Sequence, residues 1–145
     1  MGYIAANMKY ALVIVAILAF FTQTAFAMVS TGENSDSLSV VIVGKWADKM
    51  ENFVLSVSSV TQYFADGTVK MDATASMFGK KLKLEVKGFW RIVGRRLTMT
   101  AAQSSYPRLF PPGTVTNDEI VSISSTQMIL VGEDGKRSVS EHIEP

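Results

Sequence analysis

The sequence has no cysteine and a single histidine, His142, among its 145 residues. The lack of thiols excludes disulfide bridges, thiol nucleophiles, iron–sulfur clusters and the lipidated cysteine of a bacterial lipoprotein. A zinc site needs several His or Cys ligands, and the sequence cannot supply them. We therefore predict a protein without a metal or other cofactor.

Catalytic motifs are also missing. The sequence has no G-x-S-x-G element and no glycine-rich phosphate loop. His142 lies three residues from the chain end, beside Glu141, and is interpreted as a surface residue. The remaining source of acid–base groups is the set of carboxylates, and nothing in the sequence pairs them: Asp48, Glu51, Asp72, Glu85, Asp118 and Glu119. The sequence thus favours a binding protein over an enzyme.

The charge is nearly balanced overall but unevenly distributed. Fourteen Lys and Arg residues face 13 Asp and Glu, which argues against specific nucleic-acid binding. Residues 80 to 96, however, contain seven basic residues and one acid. Four of the basic residues are spaced to share one face of a strand, and we call them the basic row: Lys81, Lys83, Lys87 and Arg91. The basic row predicts a surface for an anionic lipid or a protein partner; the alternative is an ordinary solvated face.

The N-terminal segment has the features of a secretory signal peptide. Lys9 precedes an apolar run of 12 residues, 10 to 21, and an A-x-A site ends at Ala27. The run is shorter than the roughly 20 residues of a membrane-spanning helix, although a retained anchor is the alternative. We predict cleavage after Ala27, no transmembrane segment after processing, and a periplasmic or secreted protein. A flexible leader over 28–37 then precedes one domain over 38–145.

Alternation of apolar and polar residues dominates the rest of the chain. From 68 to 78, and again from 81 to 93, every second residue is apolar or small, which is the period of a strand. Asp-Gly and other glycine-containing pairs between such runs are typical of hairpins. We predict an all-β fold, an antiparallel up-and-down meander of about eight strands that closes into a barrel. The strands are expected near 45–53, 55–64, 68–78, 81–93, 95–103, 118–124, 127–133 and 136–143. Residues 37–43 fit either a short helical turn or part of a strand.

The residues Gly44-Lys45-Trp46 stand at the start of the first predicted strand. A G-x-W motif before an eight-strand meander, with Gly88-Phe89-Trp90 later in the chain, resembles the bacterial lipocalin-like domains. The resemblance implies a small β-barrel that binds a ligand. It also implies a structural motif in which Trp46 packs across the barrel base against an arginine near the last strand. Arg137 is the nearest match by position.

The candidate ligand contacts come from the predicted inward faces and from one loop. Proline is concentrated in residues 104–117, which interrupt the meander and predict a long loop. Its apolar residues Tyr106, Leu109 and Phe110 are expected either to cap one barrel mouth as a lid or dock on a partner, or to plug the open end. The predicted ligand-binding residues are Met71, Ala73, Met77, Trp90, Met99, Tyr106 and Phe110.

Two functions are compatible with these features. The first is an exported module that holds a small apolar or amphipathic molecule in, or at the mouth of, the barrel. The alternative is a barrel filled by its own side chains, which acts as a protein-binding module, an inhibitor or an envelope accessory, through the basic row and the proline-rich loop.

Overall fold

The computed structural model describes residues 35–51 and 54–143. These residues form one short helix and eight strands. The helix is α1 (Ser35–Val41), and the strands are β1 (Gly44–Glu51), β2 (Leu55–Tyr63), β3 (Thr68–Met77), β4 (Lys80–Val93), β5 (Arg96–Ser104), β6 (Val115–Ile123), β7 (Gln127–Gly132) and β8 (Arg137–Ile143). The predicted signal peptide, residues 1–27, lies outside the described residues.

The eight strands form a closed barrel in sequence order. Each strand pairs antiparallel with the next, and β8 pairs antiparallel with β1. Closure leaves the sheet without an exposed edge, which is how up-and-down barrels of the lipocalin type are built. The predicted all-β fold, an antiparallel up-and-down meander of eight strands that closes into a barrel, is therefore confirmed by the strand topology.

The alternating pattern sets which side chains enter the barrel. In β3 the buried residues are Val69, Met71, Ala73, Ala75 and Met77, and the residues between them are more exposed. In β4 the alternation continues, with a shift in register between Lys87 and Gly88. A Cβ on Gly88 would overlap the carbonyl oxygen of Thr100, so this position needs glycine. Both inward faces agree with those predicted from the period of two.

The segment before β1 is helical, and the alternative of an early strand is wrong. Leu38 and Ile42 are four residues apart and both are buried, whereas Val40 is 75% exposed. A helical turn places residues four apart on one face, so Leu38 and Ile42 can both reach the core. This tertiary contact outweighs the β preference of the branched side chains. Residues 35 to 37, the last part of the predicted leader, belong to the helix.

The buried apolar residues form two clusters along the barrel axis. The first, at the end where α1 lies, includes Leu38, Trp46, Tyr63 and Ile120. The second, at the far end, includes Leu55, Ala75, Leu84 and Phe110. Within the described part of the chain, no helix is long and apolar enough to cross a membrane. The space between and beside the clusters is the candidate site.

Candidate ligand-binding site

One end of the barrel is closed by α1 and by Trp46. The Trp46 side chain is 1% exposed, and its indole N–H donates a hydrogen bond to the Ile42 carbonyl oxygen at 2.7 Å. Its ring lies against His142, with the ring centroids 4.8 Å apart. Gly44 allows this arrangement, because a Cβ there would lie 2.6 Å from the His142 Nε2 atom. The Gly44 to Trp46 motif therefore has a local packing role at the base of the barrel.

The expected partner of Trp46 was Arg137, and this prediction is wrong. His142 is the β8 residue paired with Trp46. Arg137 is exposed at the other end of β8, where it pairs with Val131. Since neighbouring residues of a strand point to opposite faces, His142 points inward and Arg137 outward. The lone histidine, interpreted from the sequence as a surface residue, instead contributes to the packing at the base.

The proline-rich loop lies at the opposite end. It spans residues 105 to 114 and bonds to β5, since the Gly113 N–H donates to the Ala101 carbonyl oxygen at 2.7 Å. Phe110 is 4% exposed and belongs to the far apolar cluster, whereas Tyr106 is 40% exposed. Phe110 thus plugs this end of the barrel, and Tyr106 faces solvent.

The interior between these ends contains a cavity of about 540 Å³, including the open space at its mouth. We call it the polar cavity. Its lining combines aromatic, thioether, hydroxyl and carboxyl groups: Trp46, Asp48, Ser59, Thr61, Tyr63, Met71, Met99, Asp118, Met128, Leu130, Ser138 and Ser140. Met71 and Met99 were predicted as ligand contacts from the sequence, whereas the hydroxyl and carboxyl groups of this lining were not. Polar residues at inward positions of β1, β2, β6 and β8 account for the difference.

Two carboxylates, Asp48 and Asp118, face the polar cavity. Asp48 accepts a hydrogen bond from the Ser140 hydroxyl at 2.6 Å. Burial raises the pKa of Asp48, and the bond from Ser140 partly offsets this rise. Asp118 lacks any hydrogen-bond donor among the described residues. Burial, with repulsion from Glu133, Asp134 and Asp48, raises the pKa of Asp118 to about 7. The two carboxylates also raise the pKa of the buried Tyr63 hydroxyl, after the larger effect of its burial.

A second cavity of about 330 Å³, including the open space at its mouth, lies toward β3, β4 and β5. We call it the apolar cavity. It is lined by Val69, Met71, Val86, Gly88, Met99, Thr100, Ala101, Phe110, Thr114 and Thr116. Met71 and Met99 line both cavities. Because thioether side chains are flexible, these two methionines form an adaptable boundary between the cavities.

The apolar cavity contains one polar atom without a partner. Thr116 is 5% exposed, and its Oγ1 atom has no hydrogen bond within the described part of the chain. Thr116 lies two residues before Asp118 on β6, so both side chains point inward. Buried hydroxyl groups in proteins are normally hydrogen-bonded. Thr116 therefore offers an unpartnered hydrogen-bonding group two residues from Asp118 on the inward face of β6.

The residues predicted as ligand contacts are only partly brought together. Met71, Met99 and Phe110 line the apolar cavity. Ala73 and Met77 are packed in the far apolar cluster. Trp90 is half-buried; its ring meets Tyr63 edge-on, and its indole N–H donates to the Phe64 carbonyl oxygen at 3.0 Å. Tyr106 lies on the outside. Their role in ligand binding stays a prediction.

The polar residues that line the polar cavity were not predicted as ligand contacts from the sequence. Asp48, Asp118, Ser140 and Thr61 occupy inward positions of the alternating pattern. A usable signal was present, because Asp118 lies two residues before the apolar Ile120 and so shares its face. Which inward polar residues meet across the barrel depends on how the sheet closes. In the residues that the structure describes, no cluster of three or more metal-ligating side chains is present.

The basic row lies on the outer face of β4, where all four side chains are exposed. Lys87 forms an ion pair with Glu85 at 3.4 Å. Phe89, in the same row, is 59% exposed. The structure thus agrees with an outward-facing cationic surface that includes an aromatic ring.

Comparisons with known proteins give a limited result. No protein-family model matches the sequence, and no curated protein is significantly similar to it. A search of solved structures finds the crystal structure of a lipocalin-like protein from Bacteroides uniformis, with 12% sequence identity and a TM-score of 0.46. The alignment covers 71% of this chain and 99% of that chain. The fold assignment here follows from the strand topology of this chain itself.

Proposed function

We propose that this protein is an exported binding module that holds a small amphipathic molecule inside its barrel. The observation that supports this proposal is the polar cavity, whose volume of about 540 Å³ includes its mouth. Ligand pockets in proteins combine apolar walls with a few placed polar groups. The polar cavity has this composition, since Met128 and Leu130 lie beside hydroxyl and carboxyl groups.

The barrel combines a rigid wall with an adaptable interior, the two properties that a carrier needs. Its continuous antiparallel ladder holds the lining side chains in fixed positions. At the boundary of the two cavities, the methionines Met71 and Met99 allow the interior to adapt to a ligand. The seam between β1 and β8 has three residue pairs, from Lys45 to Ala47, and it ends before Asp48. Because this short ladder lies next to the polar cavity, we assign ligand entry to the seam between β1 and β8.

Export is part of the proposal and rests on residues 1–27 of the sequence. Expression of the full chain in a bacterial host, followed by intact mass measurement of the periplasmic fraction, tests it. We expect a single species that begins at Met28. Retention of the unprocessed chain in the membrane fraction would contradict export as a free protein.

Binding is tested by native mass spectrometry of the purified exported protein, which should retain a bound small molecule. Ser59 lines the polar cavity and Ser58 is its exposed neighbour. The variant Ser59→Phe should lose the bound molecule because the ring occupies the cavity. Ser58→Phe is the matched control and should keep it. Failure of the wild-type protein to carry or take up any amphiphile would refute the proposed function.

A second candidate function is supported by one observation on the outer surface. Phe89 is 59% exposed within the basic row, and exposed aromatic rings among cationic residues are enriched in protein interfaces. Under this alternative the outer face of β4 binds an acidic protein or an anionic lipid surface. Substitution of the basic row would then abolish binding, whereas Ser59→Phe would leave it unchanged.

A further inference from the structure

The lining of the polar cavity is unbalanced in charge. Its two ionisable acids, Asp48 and Asp118, are accompanied by no Lys, Arg or His among the described residues that line it. Buried carboxylates in proteins are normally paired with a base or hydrogen-bonded several times. Asp48 has one hydrogen bond, from Ser140, and Asp118 has none within the described residues. The interior therefore presents two acidic groups that no basic side chain of the cavity lining pairs with.

A second and independent observation indicates a missing hydrogen-bond partner in the adjoining apolar cavity. The Thr116 hydroxyl is buried and unpartnered, and it belongs to an otherwise largely apolar cavity. Thr116 and Asp118 are neighbours on the inward face of β6. A ligand group that donates hydrogen bonds near Asp118 would also be in a position to satisfy this hydroxyl, which has acceptor capacity.

The aromatic residues of the polar cavity also favour a cation. Trp46 and Tyr63 both line it, and each is almost fully buried. The face of an indole or phenol ring attracts ammonium groups through its quadrupole. A cavity with two carboxylates and two aromatic rings is thus complementary to an amine and unfavourable to an anion.

We propose that the barrel selects an organic cation with an apolar body, with the ammonium group between Asp48 and Asp118 and the apolar body in the apolar cavity. The inference rests on the proposed function, because it requires that the interior carries a ligand. Thr116 lies where the two parts of such a molecule would meet. Met71 and Met99 separate the cavities, so their side chains must move apart to admit the apolar body.

The test compares three probes that differ mainly in the head group: octylammonium, octanol and octanoate. Binding of each to the exported full-length product is measured by calorimetry at pH 7 and by the change in tryptophan fluorescence. Octylammonium should bind at least about tenfold more tightly than octanol, since hydrogen bonds to a charged group are the stronger kind. Octanoate should bind most weakly.

Variants then assign the selectivity to named residues. The double variant Asp48→Asn/Asp118→Asn should lose octylammonium affinity by roughly tenfold to a hundredfold and keep its affinity for octanol. Thr116→Val should weaken octylammonium binding roughly fivefold. Glu119→Gln is the matched control, because it removes an acid from the other face of β6. Circular dichroism and thermal melting check that each variant is folded.

The outcomes separate this inference from the proposed function. Equal binding of the three probes, or full retention of octylammonium affinity in the double variant, would overturn the cation proposal while leaving carriage of amphiphiles intact. Failure of all three probes to bind would overturn both. Selective loss of octylammonium binding in the double variant, with Glu119→Gln unchanged, supports the proposal.

Discussion

Replacement of Asp118 by Asn should remove a pH dependence of stability that the buried carboxylate creates. The pKa of Asp118 is raised from 3.8 to about 7, first by burial and then by the neighbouring acids. A folded-state pKa above the unfolded-state value means that the folded protein binds the proton more tightly. Its stabilising effect is fully present below the unfolded-state pKa and is lost as the pH rises through about 7.

The size of the effect follows from proton linkage. Each pKa unit of difference corresponds to about 1.4 kcal/mol, so the contribution of Asp118 should fall by about 2–3 kcal/mol between pH 5 and pH 8. Asp66, Glu85 and Asp134 have lowered pKa values and titrate below this window, so they do not mask it. Asp48 has a raised pKa, and any part of its titration above pH 5 acts in the same direction.

The assay is urea unfolding of the wild type and of Asp118→Asn at several pH values from 5 to 8. The two proteins should differ least at the acid end of this range, where the folded protein holds Asp118 in its protonated, Asn-like form. From pH 5 to pH 8 the difference in free energy of unfolding should shift in favour of the variant by about 2–3 kcal/mol. Glu119→Gln, on the outward side of β6, should keep the slope of the wild type. Parallel curves for the wild type and Asp118→Asn would refute the assignment of Asp118 to a buried, uncompensated position.

Further predictions concern packing and the outer surface. Thr116→Val should raise the free energy of unfolding by about 1 kcal/mol in urea melts, because it removes a buried unpaired hydroxyl. A variant that is less stable than the wild type would show that the hydroxyl has a partner. Gly88→Ala should lower the free energy of unfolding by about 3 kcal/mol or more, since its Cβ would overlap a backbone carbonyl oxygen. Gly79→Ala meets open space and should lower it by only about 1–2 kcal/mol, because φ is positive there. Equal losses in the two variants would contradict the close approach at Gly88. Trp46→Phe should cost about 1–3 kcal/mol by loss of its indole hydrogen bond, and an unchanged thermal midpoint would refute that contribution. Changing the basic row to Gln should abolish weak, salt-sensitive binding to anionic vesicles in a sedimentation assay, with little effect on stability, because these side chains are exposed.

The strands and their inward faces were determined by the sequence itself. The period of two in residues 68 to 78 is a local property, and the same residues are buried and exposed in β3 as the pattern predicts. Glycine-containing turns fixed the hairpins, as at Gly67, where φ is +84°. Apart from the proline-rich loop, the connections between predicted strands are short, so consecutive strands are expected to pair antiparallel. This pattern predicts an up-and-down barrel.

The site was decided by the tertiary structure. Asp48 and Asp118 are 70 positions apart in the chain, and only closure of the barrel brings both to one cavity. Period alone shows that a residue points inward, but not which residue on another strand it faces, because that depends on register and barrel curvature. For the same reason the partner of Trp46 was predicted as Arg137 and is His142, which the register of β1 with β8 places opposite it. Local alternation thus specifies the walls of the barrel, whereas the chemistry of its interior arises from contacts between strands that are distant in sequence.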